Sequence, residues 1–120
     1  MKFSFMLSTA AVLTALVTPA HAGFFSGNDL LKNCTSSIPQ EQSWCLGYVS
    51  GATDALQSVR AMMFGHEDLC PQYGTEVSQV KDAVVLYLQN HPAERTLGGD
   101  TIVIEAISTN WKCNTLPATK

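Results

Sequence analysis

The feature that most constrains this chain is its set of four cysteines, all beyond residue 22: Cys34, Cys45, Cys70 and Cys113. An even number of cysteines in a small exported domain indicates two disulfides. Zinc binding is the alternative, but no two of these cysteines form the close C-x-x-C pair typical of zinc ligands. We therefore predict two structural disulfides and no metal site.

Residues 1–22 have the pattern of a secretory signal peptide. Lys2 supplies the positive start, the segment from Phe3 to Val17 is mostly apolar, and Ala20 and Ala22 form a small-x-small cleavage site. The apolar run is too short and too interrupted for a membrane span, which needs roughly 20 apolar residues. Residues 23–120 are then expected to form one soluble domain in the periplasm, because they are too few for two domains.

The hydrophobic spacing predicts an all-α fold, a small disulfide-stabilised bundle of about four helices. Alternation typical of strands does not persist for more than a few residues. The predicted helices run from the cap Ser26 to about Cys34, from roughly Glu41 to Phe64, from the cap Thr75 to His91, and from the cap Asp100 through Trp111. The third helix is expected to stop at His91 because a proline follows it.

This layout favours one disulfide pairing among the three possible. Cys34 and Cys45 flank a short turn between the first two helices. If the later helices alternate in direction, Cys113 at the end of the fourth returns to the end of the bundle where Cys70 follows the second. We therefore predict the bridges Cys34–Cys45 and Cys70–Cys113.

Small residues recur every four positions in the second helix, at Gly47, Gly51 and Ala55. On a helix they lie on one face and let another backbone approach closely. Each helical glycine costs roughly 1 kcal/mol relative to alanine, so a packing gain must offset it. We predict close helix packing along this stripe, within the domain in the first place and at a subunit interface as the alternative.

The charge balance excludes some classes of partner. The chain has 10 acidic and 7 basic residues, and one of the basic residues, Lys2, lies in the signal segment. No basic cluster is present to neutralise phosphates, so nucleic acid and an anionic membrane surface are not expected partners. The acidic balance fits a protein partner with a basic surface.

The sequence gives little support for any set of catalytic residues. A cysteine nucleophile with His66 or His91 as base would leave an odd cysteine unpaired. His66 and Cys70 have the spacing of a helical zinc-protease motif, but that motif requires histidine at the second position. We predict no catalytic residues, no metal and no cofactor.

Several segments together resemble the Rap/Tai family, which contains periplasmic immunity proteins for type VI secretion amidase effectors. They are 30–34 (LLKNC), 45–55 (CLGYVSGATDA), 70–71 (CP), 87–95 (YLQNHPAER) and the late Cys113. The resemblance covers nearly all of residues 23–120. This sequence differs from the family pattern at Leu97-Gly98-Gly99, where the family usually carries small or helix-favouring residues. The difference predicts a looser connection before the last helix.

The resemblance implies a helical, disulfide-stabilised protein, often dimeric, that binds a peptidoglycan-cleaving cysteine amidase and blocks its active-site cleft without catalysis of its own. The alternative is a periplasmic stress chaperone, or another helical binding module without an effector partner. For the contact surface we nominate two loops, with His66, Glu67, Asp68, Gln72 and Tyr73 in one and Glu94, Arg95 and Thr96 in the other.

Overall fold

The computed structural model describes residues 23–66 and 68–114. Within them the chain forms four α-helices: α1 (Gly27–Cys34), α2 (Pro39–Phe64), α3 (Val77–Asn90) and α4 (Gly99–Trp111), with a short 3₁₀ turn at Pro92–Glu94. The all-α prediction is confirmed. None of these helices is long and apolar enough to cross a membrane. The predicted signal peptide lies outside the described residues.

The two earlier helices begin much as predicted. In α1 the Ser26 backbone N–H donates to Asp29 Oδ2 at 2.8 Å, while Asp29 N–H donates to Ser26 Oγ at 3.3 Å. These hydrogen bonds form the predicted capping box and hold the pKa of Asp29 below its ordinary value. Helix α2 begins two residues before the predicted start, with Pro39 in its first turn. Proline suits that position because its missing N–H would have no partner within the helix there.

The predicted caps of the two later helices are wrong. The cap position of α3 is Glu76, whose N–H donates to Gln79 Oε1 at 3.0 Å. The Thr75 hydroxyl instead donates to the Gln72 carbonyl within the preceding turn. Helix α4 begins at Gly99, so Asp100 lies in its first turn, where a carboxylate complements the helix dipole.

The core collects aliphatic side chains from all four helices. Its buried members include Leu30, Val49, Leu56, Val80, Val84, Leu88, Ile102, Val103, Ala106 and Ile107. Both predicted disulfides are confirmed, with Cα–Cα distances of 5.1 Å for Cys34–Cys45 and 5.7 Å for Cys70–Cys113. The first bridge joins the end of α1 to α2, and the second joins the segment after α2 to the end of α4.

The glycines in close contact within the chain are different from the predicted ones. Gly47 and Gly51 are exposed, and a Cβ on either would meet nothing within 4 Å. The expected internal crossing at Gly47, Gly51 and Ala55 is therefore wrong, because this face of α2 is turned away from the other described helices. Gly99 is buried instead, and a Cβ there would lie 2.8 Å from Tyr48 Oη.

Among the described glycines, Gly27 lies closest to the backbone of another segment. A Cβ on it would lie 3.0 Å from both the Cα and the carbonyl oxygen of Arg95. Its N–H donates to the Leu97 carbonyl at 2.9 Å, and Gly99 N–H donates to the Phe25 carbonyl at 2.7 Å. The expected loose connection at residues 97–99 is therefore wrong, since backbone hydrogen bonds join it to the start of α1.

Alanine substitutions should separate these two kinds of glycine. Gly27→Ala is expected to lower the free energy of unfolding by about 1 to 3 kcal/mol, because the new methyl meets backbone atoms of Arg95 that cannot move alone. Gly47→Ala is expected to raise it by about 1 kcal/mol, because an exposed helical glycine is replaced by the best helix former. Urea denaturation at low protein concentration measures both, and equal effects would contradict the assignment.

Candidate partner-binding surface

Residues 65–76 connect α2 to α3 and are called the α2–α3 loop. This loop is attached to α2 on one side and to the end of α4 on the other. Gln57 Nε2 donates to the Pro71 carbonyl at 2.6 Å, and Gln57 Oε1 accepts from the Cys70 N–H at 3.0 Å. The disulfide to Cys113 attaches the same segment to the end of α4. Tyr73 therefore projects from an anchored loop, and 96% of its surface is exposed.

A buried arginine provides a second attachment for this loop. Arg60, near the end of α2, is only 2% exposed. Its Nη2 donates to Asp68 Oδ2 at 2.8 Å, and its Nη1 donates to the Asn114 carbonyl at 2.9 Å. Its guanidinium also lies 5.2 Å from the ring centroid of Phe64. Arg60 thus connects α2, the loop and the segment after α4.

Arg60 is the residue that the sequence interpretation missed. The available signal was an arginine between apolar residues, Val59 and Met62, in a helix that otherwise has few charges. Asp68, a nominated contact residue, has one carboxylate oxygen bound to Arg60 and the other accepting from Asn114 Nδ2 at 3.1 Å. Its carboxylate therefore serves the fold.

A groove of about 390 Å³ separates α2 from the α2–α3 loop. The helix contributes Ser50, Thr53, Asp54 and Gln57 to its wall, and the loop contributes residues 71–75. Thr53 Oγ1 donates to the Val49 carbonyl within α2, whereas Asp54 is exposed. The lining of the groove therefore includes both an exposed carboxylate, that of Asp54, and Tyr73.

Large apolar side chains are exposed at the end of α2 that leads into this loop. Val59, Met62, Met63 and Phe64 are exposed to 40%, 80%, 48% and 37%. We call them the α2 terminal patch. Contiguous apolar surface of this kind marks an interaction site in many proteins. The nominated His66 and Gln72 are exposed in the adjoining loop, and Glu67 lies outside the described residues.

The second nominated loop mostly serves the fold. Glu94 Oε2 accepts from the Tyr87 hydroxyl at 2.6 Å, and Arg95 Nε donates to the Leu88 carbonyl at 2.8 Å. Thr96 is exposed. The two loops lie at opposite ends of the 14-residue helix α3, which is about 20 Å long at 1.5 Å per residue. The structure therefore does not bring the nominated residues together on one surface.

The Tyr87–Glu94 hydrogen bond has a measurable consequence at alkaline pH. Burial, reinforced by the hydrogen bond to Glu94 and the charge of Glu105, raises the pKa of Tyr87 to about 12. The ring of His91 stacks on Tyr87, with centroids 4.1 Å apart. Because the raised pKa favours the neutral phenol in the folded state, the stabilisation is complete below pH 10 and is lost as the pH rises towards 12.

We therefore expect the unfolding free energy of the wild type to fall more steeply between pH 10 and 12 than that of Tyr87→Phe. Urea titrations at several pH values measure the two slopes. The absorbance of tyrosinate gives an independent readout, because the variant should lack a titration step near pH 12. Identical pH profiles for the two proteins would contradict the assigned hydrogen bond.

The sequence model of the family described as Rap1a immunity proteins matches residues 26–113. The match spans the capping box of α1, all four helices and both disulfides. No curated protein and no solved structure matches the chain.

Proposed function

Because the chain belongs to the family of Rap1a immunity proteins, we propose that it binds a type VI secretion peptidoglycan amidase effector in the periplasm and occludes its active site. Membership in this family implies a toxin as the partner. Proteins of this family generally have no catalysis of their own, and we propose the same here. The amidase specificity and the export follow from the Rap/Tai resemblance and the predicted signal peptide.

The exposed Tyr73 on its anchored loop is the observation that carries this proposal. A group that fills a cleft must project from the surface, and Tyr73 is 96% exposed. The loop is held by Gln57, by the Cys70–Cys113 bridge and by Arg60, so it loses little conformational freedom on binding. Tyrosines presented in this way are common energetic centres of protein interfaces.

The test combines the purified protein with an amidase encoded by a neighbouring open reading frame. We expect the wild type to inhibit peptidoglycan hydrolysis stoichiometrically. Tyr73→Ala should weaken inhibition by more than about tenfold, as expected for a residue at an energetic centre. The matched control is Phe24→Ala, which removes a fully exposed aromatic side chain next to α1 and should have no effect.

Two results would overturn the proposal. Absence of binding and inhibition by the wild type would refute the amidase partner, and equal inhibition by the two variants would refute the role of the loop. The chaperone alternative makes a different prediction, namely that the protein suppresses aggregation of an unfolded client at pH 2 to 3.

We also propose that the protein forms a homodimer through the exposed face of α2. Antiparallel pairing of two α2 helices centred near Ala55 would place Met62 of each protomer over the Gly47 region of the other. Such a contact is self-complementary, because each helix offers a shallow glycine surface at one end and an exposed methionine at the other. It would also give the two open glycines of α2 the close packing that they lack within one chain.

Light scattering coupled to size-exclusion chromatography tests the dimer. Gly51→Arg should convert the dimer to a monomer, because a long charged side chain cannot enter a close helix contact. Ser78→Arg places the same side chain on the exposed surface of α3 and should leave the dimer unchanged. A monomeric wild type over the accessible concentration range would refute the proposal.

A further inference from the structure

The groove between α2 and the α2–α3 loop contains a carboxylate that has no counter-ion among residues 23–66 and 68–114. Asp54 lines it, and none of the cations in the described residues does. Arg60 is bonded to Asp68, and Lys81 Nζ lies 3.0 Å from Asp82 Oδ1. Within the part of the chain that the structure describes, this negative charge is unpaired, and a positive group of a partner could neutralise it.

An aromatic ring lies on the border of the same groove. Tyr73 lines it and remains 96% exposed, so its ring faces are available to a partner. The turn that presents the ring includes Gly74 at a φ of 90°, a conformation that glycine adopts without strain. Because Gln57 anchors the preceding residues, the ring and the carboxylate belong to one supported site.

The combination of carboxylate and aromatic ring suits a guanidinium group better than an ammonium group. A guanidinium is planar, so it can stack on a tyrosine ring while donating two parallel hydrogen bonds to a carboxylate. The hydroxyls of Ser50 and Thr53 provide further acceptors on the α2 side. The volume of about 390 Å³ lies near the lower end of the range for small ligand sites, about 300 to 1,000 Å³.

We propose that this groove binds an arginine side chain presented on the surface of the protein partner. The identity of that partner rests on the proposed function, whereas the chemistry of the groove does not. At about 100° per residue, Asp54 lies only about 20° around α2 from Gly47 and about 60° from Gly51. The arginine site therefore borders the proposed dimer contact, and the remaining groove residues of α2 lie further around the helix.

The first experiment tests the groove without the amidase. The ¹⁵N-labelled full-length mature protein is titrated with N-acetyl-arginine methylamide and, separately, with the citrulline analogue, which has a similar shape but no charge. We expect saturable shifts with the arginine probe at Thr53, Asp54, Tyr73 and Gly74. The shifts should be at least fivefold smaller with the citrulline probe and with Asp54→Asn. Glu105→Gln, which removes an exposed carboxylate from α4, should behave as the wild type.

The second experiment tests the groove in the complex. Asp54→Asn should weaken binding of the amidase about tenfold and reduce the dependence of the affinity on salt, as expected on losing one charge-assisted contact. Glu105→Gln carries the same change in net charge and should bind as the wild type does.

The outcomes separate the two proposals. Absence of shifts with the arginine probe, or equal shifts with citrulline, would overturn the arginine site and leave the amidase proposal intact. Shifts in the groove combined with no amidase binding by the wild type would support the site and overturn the amidase partner. Amidase binding unchanged in Asp54→Asn would overturn the role of the groove in that complex.

Discussion

Replacing Arg60 with methionine is expected to lower the free energy of unfolding by about 3 kcal/mol, as breaking a buried ion pair does. Methionine keeps much of the apolar volume but removes the donors to the carboxylate and carbonyl of Asp68 and to the carbonyl of Asn114. These acceptors would remain without their partner, and the α2–α3 loop would lose one of its attachments. Urea denaturation measures the loss.

A matched control distinguishes this effect from the removal of any ion pair. Lys81→Met breaks the Lys81–Asp82 pair, whose side chains are 31% and 73% exposed. Exposed pairs contribute less than about 1 kcal/mol, so this variant should unfold close to the wild type. The double variant Arg60→Met, Asp68→Leu should lose less stability than the sum of its two single changes, because no carboxylate is left without its cation. A loss below 1 kcal/mol for Arg60→Met would contradict the structural role of this arginine.

Removing the Cys70–Cys113 bridge is expected to have the largest effect on stability. The cysteines are 43 residues apart in sequence, and the loop-entropy model gives about 4 kcal/mol for closing a loop of that length. The same model gives about 3 kcal/mol for Cys34–Cys45, with its separation of 11 residues. Small domains have a net stability of about 5 to 15 kcal/mol, so either loss is a large fraction of the total.

Double alanine variants of each bridge, compared by urea denaturation, measure these contributions without added reductant. The variant lacking Cys70–Cys113 should be the less stable of the two. It should also be more sensitive to Arg60→Met than the wild type is, because Arg60 and the Asn114–Asp68 hydrogen bond are then the remaining links between the α2–α3 loop and Asn114. These roles would be contradicted if the variant lacking Cys34–Cys45 were the less stable of the two. They would also be contradicted if the loss of stability from Arg60→Met were the same with and without the Cys70–Cys113 bridge.

The same variants connect stability to the proposed function. Both Arg60 and the Cys70–Cys113 bridge hold the loop that carries Tyr73. We infer that their removal weakens inhibition of the amidase by increasing the freedom that the loop must lose on binding. Removing Cys34–Cys45, which joins α1 to α2, should affect inhibition less at temperatures where the variant remains folded.

Features that depend on neighbouring residues were predictable from sequence. The Ser26–Asp29 capping box, the end of α3 one residue before the predicted His91 and the helical periodicity follow from interactions within a few positions of the chain. The disulfide pairing also followed, because helix lengths and alternating directions place the cysteines at one end or the other. The predicted cap Thr75 failed because its hydroxyl donates to the Gln72 carbonyl in the preceding turn. The cap position of α4 is Gly98, two residues before the predicted Asp100, and the Gly99 N–H donates to the Phe25 carbonyl, a contact distant in sequence.

The candidate site was only partly predictable. The exposure of Tyr73 follows from its place in a loop rich in turn residues. The binding of Asp68 to Arg60 and of Glu94 to Tyr87 could not be foreseen, because each depends on which side chains the packing brings within hydrogen-bonding distance. For the same reason the groove beside Asp54 has no signature in the sequence: its walls come from separate segments of the chain.

The amino-acid sequence by itself determined the helical class, the four helices, the two disulfides and the family. Periodicity, capping residues and cysteine spacing all depend directly on the order of residues in the chain. Only the tertiary structure decided which glycines matter for packing. Gly47 and Gly51 have the spacing of a helix contact but face outwards, whereas Gly27 and Gly99, without any such pattern, are closely approached by other described segments. A pattern states which residues share a face of a helix, and the three-dimensional fold determines what covers that face.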